Sequence, residues 1–255
     1  MKVAALYDIH GNFPALEAVL EEIDDEGVDR IIVGGDVVPG PMARQSLAKL
    51  LQLPIPVEFI HGNGESDVIA LGGGQMPSRV PEAVHEAMHW VLEELEPEQM
   101  AEMRRWPPTR ELEVPGVGSI LFCHATPRND NEIFTRITPE PLLRPIFEAT
   151  NAKMVVCGHT HMPFDRRIGD VRVVNPGSVG MPFGDPGAYW ACIGPGVELR
   201  RTTYDLAAAA ERMRATGYPH VDEFVERSLL TPANEEEMIA LFEGSPLRVG
   251  ADEGG

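Results

Sequence analysis

The first 65 residues contain three short apolar runs, and each run is followed by a polar side chain. Asp8 ends the first run, Asp36 ends the second, and Asn63 comes just after the third. Between the runs, residues 14–26 and 42–51 place apolar side chains at helical spacing. Apolar strands that alternate with amphipathic helices are typical of a parallel sheet. Because functional groups in such sheets collect beyond the carboxyl ends of the strands, we expect these three side chains to lie close together.

The remainder of the chain predicts a second sheet with more antiparallel pairing. Residues 81–106 have the spacing of a helix pair, and residues 140–149 that of one more helix. Pro115-Gly116 and Gly169-Asp170 are turn signals of two hairpins. The predicted strands of this part are residues 111–114, 119–123, 154–157, 165–168, 171–174, 189–193 and 197–203. We therefore predict an α/β fold in which two packed mixed β-sheets are flanked by helices, an αββα sandwich.

The composition changes near residue 205. Residues 206–213 read Leu-Ala-Ala-Ala-Ala-Glu-Arg-Met, which is strongly helical, and two more helical segments follow. The last residues, 250–255, are predicted to form a disordered tail. We therefore expect one domain over residues 1–205 and a helical C-terminal extension over residues 206–255.

Charge and composition argue against several classes of function. The 255 residues carry 40 acidic and 21 basic side chains, a net charge of −19, which disfavours stable binding to the nucleic-acid backbone. The sequence has no run long enough for a membrane-spanning helix, and its N-terminus lacks the features of a signal peptide. Its three cysteines lie in apolar runs, so we expect buried thiols in a reducing cytoplasm.

Four histidines complete the set of candidate metal ligands. His10 lies two positions after Asp8, His124 ends an apolar run, and His159 and His161 lie in Gly-His-Thr-His after another. Taken singly, most of these polar residues also fit a turn, a helix cap or a core histidine. Two histidines at i and i+2 after a buried strand are more specific, since neutral imidazole is a frequent metal ligand. Oxygen and imidazole groups from so many strand ends together predict a site for a pair of divalent metal ions.

The order of these motifs resembles one known family. The chain resembles the calcineurin-like metallophosphoesterase superfamily in the order of its motifs, which are D-x-H, then G-D, G-N-x-E, a lone H and G-H-x-H. The likeness is to its small bacterial and archaeal phosphodiesterase branch in particular. The segments at residues 8–12, Asp-Ile-His-Gly-Asn, and 175–178, Asn-Pro-Gly-Ser, add to the match. The resemblance covers roughly residues 1–205, which would then be the catalytic domain.

The family pattern implies a role for each matching residue. It assigns one metal ion to Asp8, His10, His161 and Asp36, and the other to Asp36, Asn63, His124 and His159. Asp36, Asn63 and His124 are accordingly the candidates for a direct part in catalysis. Asn12 and Asn175 resemble groups that support the ligands or bind substrate, and Glu65 resembles a structural acid.

Arg128 lies just past His124 and is the best cationic candidate for binding a substrate phosphate. A surface ion pair between Arg128 and Asp130 is an equally good interpretation.

The implied activity is hydrolysis of a small phosphoester or nucleotide-type substrate, with phosphodiesters favoured over phosphomonoesters. Asp36 has two anionic oxygens and can bridge two cations, and a hydroxide between the cations would attack phosphorus. Imidazole, carboxylate and amide ligands suit Mn, Fe, Zn or Ni. A metal-binding scaffold and a nucleotide sensor, both without turnover, remain alternative functions for the same fold. The oligomeric state stays open, a homo-oligomer included.

The chain departs from the family pattern at two positions. Pro39 replaces the aspartate that often ends the second motif, and Gly64 replaces the histidine of G-N-H-E. In relatives this histidine is thought to bind the phosphoryl group and assist the leaving group. His61 is a candidate substitute, although a structural or solvent-facing role is favoured. We therefore hypothesise a preference for esters with good leaving groups.

Overall fold

The computed structural model describes residues 1–244 and residue 247. The predicted disorder of residues 250–255 therefore lies outside the described residues. The strands are β1 Val3–Leu6, β2 Arg30–Val33, β3 Val57–Phe59, β4 Thr109–Val114, β5 Gly118–Cys123, β6 Met154–Val156, β7 Phe164–Ile168, β8 Val171–Asn175, β9 Ala188–Ile193 and β10 Val197–Thr202. The helices are α1 Phe13–Glu26, α2 Ala43–Leu51, α3 Asn63–Gly72, α4 His85–Glu94, α5 Pro97–Met103, α6 Glu140–Phe147, α7 Leu206–Arg214, α8 Val221–Val225 and α9 Glu235–Glu243. A 3₁₀ turn, Glu82–Val84, and a π-helical turn, Glu226–Leu230, complete the list.

The strands form two five-stranded mixed sheets, which confirms the predicted fold class. The first sheet has the order β10-β9-β1-β2-β3, and the second has the order β4-β5-β6-β8-β7. In the first sheet β1, β2 and β3 are parallel, as the βαβ pattern predicts, while β9 and β10 add an antiparallel edge. In the second sheet β5, β6 and β8 are parallel, and each edge strand pairs antiparallel.

The two sheets pack face to face because side chains alternate along each strand. Val3, Ala5 and Tyr7 of the β1 segment point into the space between the sheets, where they meet Phe122 and Val156 of the second sheet. The opposite faces carry the helices. The cluster outside the first sheet includes the apolar stripe of α1, and the cluster outside the second sheet includes that of α6. All three cysteines are buried free thiols, as expected.

Helix boundaries follow local signals in α1. Asn12 precedes the helix, and its side chain accepts a hydrogen bond from the Ala15 backbone N–H at 3.1 Å. Pro14 occupies the first turn, and Gly27 ends the helix in the left-handed conformation, with a φ of 61°. The spacing of apolar residues, Pro14 and Gly27 predict this helix, and the Asn12 cap adds a signal that the prediction did not use.

Two sequence predictions need correction. No helix is predicted from the sequence between residues 51 and 81, yet α3 runs through Asn63–Gly72. The second strand was predicted to reach Asp36 but ends at Val33. It stops there because Gly35 and Asp36 have φ values of 92° and 54°, which a β-strand does not accommodate.

None of the helices in the described part of the chain has both the length and the apolar character needed to cross a bilayer.

Candidate functional site

The predicted ligands lie on loops that follow the strand ends, and their backbone is strained. Positive φ values occur at Asp8 (54°), His10 (45°), Asp36 (54°), His159 (68°) and His161 (58°). Non-glycine residues rarely adopt this left-handed region, and such residues persist where the surrounding structure holds them in place. Strain at five of seven candidate ligands marks these loops as a functional site.

Tyr7, which follows β1 of the first sheet, contacts the end of β6 in the second sheet. Its ring lies between the sheets, and its hydroxyl donates a hydrogen bond to the Val156 carbonyl at 2.9 Å. Gly158 faces the same ring: a Cβ at this position would lie 2.4 Å from Tyr7 and 2.6 Å from Asp8 Oδ2. The glycine that introduces Gly-His-Thr-His therefore lets the second sheet approach the ligands of the first.

Two groups of candidate ligands meet at this junction. Asp8, His10 and His161 form one group, and Asp8, Asp36 and His124 form the other. His161 Nε2 lies 3.5 Å from Asp8 Oδ1, and His124 Nε2 lies 3.5 Å from Asp36 Oδ2. His10 Nε2 lies 3.7 Å from Asp36 Oδ2 and 3.3 Å from His161 Nε2. Five of the seven predicted ligands thus converge on one buried point.

The histidine tautomers leave the converging nitrogens free to bind a cation. His124 Nδ1 donates to the Gly34 carbonyl at 2.9 Å, and His161 Nδ1 donates to the Met181 carbonyl at 2.7 Å. Because a carbonyl only accepts, each Nδ1 carries a proton, and Nε2 is the ring nitrogen left to face a cation. Such a backbone partner is typical of metal-binding histidines.

The remaining two candidates, Asn63 and His159, lie beside His124. Asn63 Oδ1 is 3.1 Å from His124 Nε2. The rings of His124 and His159 pack edge to face, with centroids 5.2 Å apart. The His159 backbone N–H donates to Asp8 Oδ2 at 2.9 Å. Neither residue belongs to the two groups found among the described residues.

The site has the electrostatic character of a cation site. Asp8 Oδ1 is buried and has no hydrogen-bond partner among the described residues. Burial raises the pKa of Asp36 to about 8, and the neighbouring carboxylates of Glu65 and Asp8 add to the shift. Burial, reinforced by neighbouring histidines, lowers the pKa of His10 and of His159 to about 3, so both rings are neutral. Neutral imidazoles facing buried carboxylates fit divalent cations that accept both nitrogen and oxygen ligands.

Glu65 organises the backbone around Asp36. It is fully buried, and its carboxylate accepts backbone hydrogen bonds from Asp36, Val37, Val38 and Gly62 at 2.8–3.2 Å. The same carboxylate caps the first turn of α3. This geometry agrees with the structural role expected for Glu65.

Asn12 and Asn175 hold ligand loops in place. Asn12 Nδ2 donates to the Gly180 carbonyl at 3.0 Å and to the Tyr204 hydroxyl at 3.1 Å. Asn175 Nδ2 donates to the Gly158 carbonyl at 2.9 Å and to Thr160 Oγ1 at 3.2 Å, both in the loop of His159 and His161.

Arg128 is not brought to the convergence point. Its guanidinium forms a bidentate ion pair with Glu132, with Nη2 2.6 Å from Oε1, and not with Asp130 as the surface-pair interpretation assumed. His61 is also directed elsewhere: its Nε2 lies 2.8 Å from the Met103 carbonyl. Neither side chain belongs to the described lining of the cleft that opens beside the ligands.

This cleft has a volume of about 570 Å³. Its lining consists of His10, Asp36, Pro39, Asn63, Gly64, Asp67, Ser78, Arg79, Val80, Pro81, Val84, Met88, Asn131 and Ile133. Arg79 and Asp67 were missed by the sequence analysis. Asp67 belongs to the unpredicted helix α3, four residues after Asn63, and that spacing is the signal that would have found it.

Gly64 has a packing reason to be glycine. Its backbone N–H donates to Asp36 Oδ1 at 2.7 Å, so the start of α3 lies directly against this carboxylate. A Cβ on Gly64 would lie 2.1 Å from the Val38 carbonyl oxygen and 2.9 Å from Asp36 Oδ1. The histidine of the family pattern has no room here unless the backbone moves.

We expect Gly64→Ala to lower stability by about 1–3 kcal/mol and to weaken metal binding, because the added methyl group pushes α3 away from Asp36. Thermal unfolding and metal titration calorimetry measure the two effects. Gly196→Ala is the matched control, since a Cβ there meets nothing within 4 Å. Equal metal affinity in Gly64→Ala and wild type would contradict the claim that a side chain at residue 64 displaces α3 from Asp36.

Comparison with known proteins identifies the family of the fold. The model of the calcineurin-like phosphoesterase superfamily domain matches residues 1–193. The crystal structure of a metallophosphoesterase from Sphaerobacter thermophilus is similar with a TM-score of 0.70 and 26% identity, covering 89% of this chain and 97% of that one. Phosphodiesterase YfcE of Escherichia coli K12 is 28% identical over 195 residues, which are 74% of this chain and 85% of YfcE. An uncharacterized protein of Methanocaldococcus jannaschii is 24% identical over 230 residues, 83% of this chain and 91% of that protein.

Proposed function

The chain belongs to the calcineurin-like phosphoesterase superfamily, and from this premise we propose that it hydrolyses phosphodiesters with two divalent metal ions. The family and the likeness to phosphodiesterase YfcE make it a metal-dependent phosphoesterase, as the sequence predicts. The number of ions, their ligands and the preference for diesters are our proposal.

The observation that carries this proposal is the convergence of Asp8 and Asp36 with three imidazole Nε2 atoms. Two carboxylates buried side by side repel each other unless positive charge lies between them. Asp36 Oδ2 lies between His10 and His124, and Asp8 Oδ1 lies between His161 and His124. This arrangement supports a site in which two neighbouring cations share a carboxylate.

We assign the ligands in two sets that share Asp36. One ion would be held by Asp8, His10, His161 and Asp36, and the other by Asp36, Asn63, His124 and His159. Their donor atoms suit Mn, Fe, Zn or Ni. When bound, such ions lower the pKa of water and neutralise charge on the phosphoryl oxygens.

In this proposal the chain's own contribution is to orient the substrate. The cleft opens beside His10, Asp36 and Asn63 and continues along apolar side chains. The apolar lining residues are Val80, Pro81, Val84, Met88 and Ile133. A diester has an organic group on each side of phosphorus, and this wall offers the second group an apolar surface. A monoester has no group to place there, which supports the preference for diesters.

We further propose that residues 1–205 form the catalytic domain and that residues 206–255 are an extension of it. The described part of the extension packs beside the site. Phe242 of α9 packs edge to face on Phe183, and Phe183 stacks on His161 with ring centroids 5.4 Å apart. Glu243 accepts a hydrogen bond from Thr135 Oγ1 at 2.6 Å.

The proposal is tested with metal-stripped and reloaded protein. After chelation, we expect no turnover of bis(p-nitrophenyl) phosphate, and recovery on addition of Mn²⁺, Zn²⁺, Fe²⁺ or Ni²⁺. Turnover of p-nitrophenyl phosphate should be at least about tenfold slower in kcat/KM, which corresponds to about 1.4 kcal/mol of transition-state stabilisation. Two bound ions per chain without turnover of any phosphoester would favour the scaffold or sensor alternatives.

A second measurement tests the leaving-group hypothesis. Because a histidine is absent at residue 64, we expect diesters of phenols to react far faster than diesters of simple alcohols. A series of aryl phosphodiesters of graded phenol acidity measures this dependence. Equal rates on phenyl and alkyl diesters would contradict the hypothesis.

A further inference from the structure

The cleft beside the ligands contains one cationic side chain that is not a candidate ligand. Among the described lining residues, Arg79 is the one lysine or arginine, and Asp36 and Asp67 are the acids. A protein of net charge −19 repels an anionic substrate, so positive charge in the cleft has a large effect on binding.

Arg79 lies close to the start of α3. Its Nη2 is 3.5 Å from the backbone carbonyl oxygen of Asn63, and Gly64 follows in the cleft wall. Gly64 itself presents no side chain and has no space for one. The guanidinium therefore reaches the cleft from a different loop, beside the backbone position where the family pattern has a histidine.

Asp67 restrains the guanidinium by charge. Arg79 Nη2 lies 2.7 Å from Asp67 Oδ1, and the Asp67 side chain is only 9% exposed. Burial raises the pKa of the Asp67 carboxyl to about 6, and the positive charge of the adjacent Arg79 opposes that shift. The pair thus fixes the position of Arg79 while guanidinium N–H groups remain available for another acceptor.

We propose that Arg79 binds the phosphate of the substrate and stabilises the negative charge of the leaving oxygen. This inference rests on the proposed function. As water adds to phosphorus and loses one proton to solvent, the bond from phosphorus to the leaving oxygen breaks, and its electron pair stays on that oxygen. Arg79 balances the resulting charge without giving up a proton, because a guanidinium stays protonated. The departing alkoxide or phenoxide takes its proton from solvent.

Inorganic phosphate is the probe for the binding step. We expect Arg79→Ala, loaded with Mn²⁺, to bind phosphate roughly 10- to 100-fold more weakly than wild type in titration calorimetry. Arg79→Lys should retain part of this affinity, since it keeps the charge but loses the planar fork. Arg105→Ala is the matched control, because Arg105 is 72% exposed and pairs with Glu102 on the surface. It should bind phosphate as wild type does.

The kinetic test uses aryl phosphodiesters of graded phenol acidity. Arg79→Ala should lose more in kcat for poor leaving groups than for good ones, which a merely structural defect would not produce. Equal phosphate affinity in Arg79→Ala and wild type, with equal metal content and melting temperature, would overturn the proposal.

The phosphate titration needs no turnover. If wild type hydrolysed no phosphoester, the proposed hydrolase function would be wrong. The titration would still test whether Arg79 binds phosphate.

Discussion

Asp36→Asn is expected to lose both metal ions and to lower kcat/KM for phosphodiesters by at least about 100-fold. Replacement of groups that merely support ligands costs 10- to 100-fold in metal affinity or activity, and a shared ligand contributes to two ions at once. Asparagine keeps the oxygen that accepts the Gly64 N–H at 2.7 Å, so the fold around the site should persist. Metal content by elemental analysis and thermal unfolding with and without Mn²⁺ measure the effect.

Asp8→Asn is the matched variant, because the geometry alone allows either aspartate to bridge. Asp8 Oδ1 is 3.5 Å from His161 Nε2 and 3.8 Å from His124 Nε2, while Asp36 Oδ2 is 3.5 Å from His124 Nε2. If Asp36 is shared as proposed, Asp8→Asn keeps one ion and Asp36→Asn keeps neither. The reverse pattern would show that Asp8 is the bridge.

Thermal unfolding gives an independent readout of the same prediction. An ion at 100 times its dissociation constant stabilises the folded state by about 2.7 kcal/mol, provided that it does not bind the unfolded chain. Wild type should therefore melt higher with Mn²⁺ than with chelator, and Asp36→Asn should melt at the same temperature in both. In chelator, Asp36→Asn should be at least as stable as wild type, because a carboxyl whose pKa burial raises to about 8 must take up a proton on folding near neutral pH, a cost that asparagine does not have.

The sequence predicted the parts of the fold that depend on local signals. α1 lies almost where Asn12, Pro14 and Gly27 place it, and the parallel strands follow from apolar runs alternating with helices. α3 was missed because only part of its start is visible locally. The Glu65 carboxylate caps the first turn and is a local signal that was not used, whereas the contact of the Gly64 N–H with Asp36 Oδ1 comes from a distant part of the chain.

In the candidate site, too, some features could be predicted from the sequence and others could not. The convergence of Asp8 and Asp36 could be predicted, since the carboxyl ends of parallel strands in one sheet gather at one edge. His124 follows β5 of the second sheet, and this rule alone does not bring it to the same point. Arg79 could not be predicted, because a cleft wall is made by whichever loop folds back over the site. Arg128 was chosen for its nearness to His124 in sequence, but the acid that reaches its guanidinium is Glu132, not Asp130.

Glu65→Gln is expected to lower the melting temperature by roughly 5–20 °C, the largest stability effect that we predict for one isosteric change. Both carboxylate oxygens accept backbone N–H groups: Oε1 from Val37 and Val38, and Oε2 from Asp36 and Gly62. In glutamine one of these oxygens becomes an NH₂ group, so two buried N–H donors lose their acceptor. Each unsatisfied donor costs about 1–3 kcal/mol, and each kcal/mol lowers the melting temperature by about 2–4 °C in a chain of this size.

Glu58→Gln separates this effect from loss of charge alone. Glu58 is 27% exposed and pairs with Arg30 and Arg110 at the edge of the first sheet. A partly exposed ion pair contributes about 0–1 kcal/mol, so this variant should melt within a few degrees of wild type. Glu65→Gln should also bind metal more weakly, because the Asp36 backbone that Glu65 holds carries the proposed bridging ligand. If Glu65→Gln and Glu58→Gln had the same melting temperature, Glu65 would contribute no more to stability than a partly exposed ion pair. It would then not hold the Asp36 loop in place.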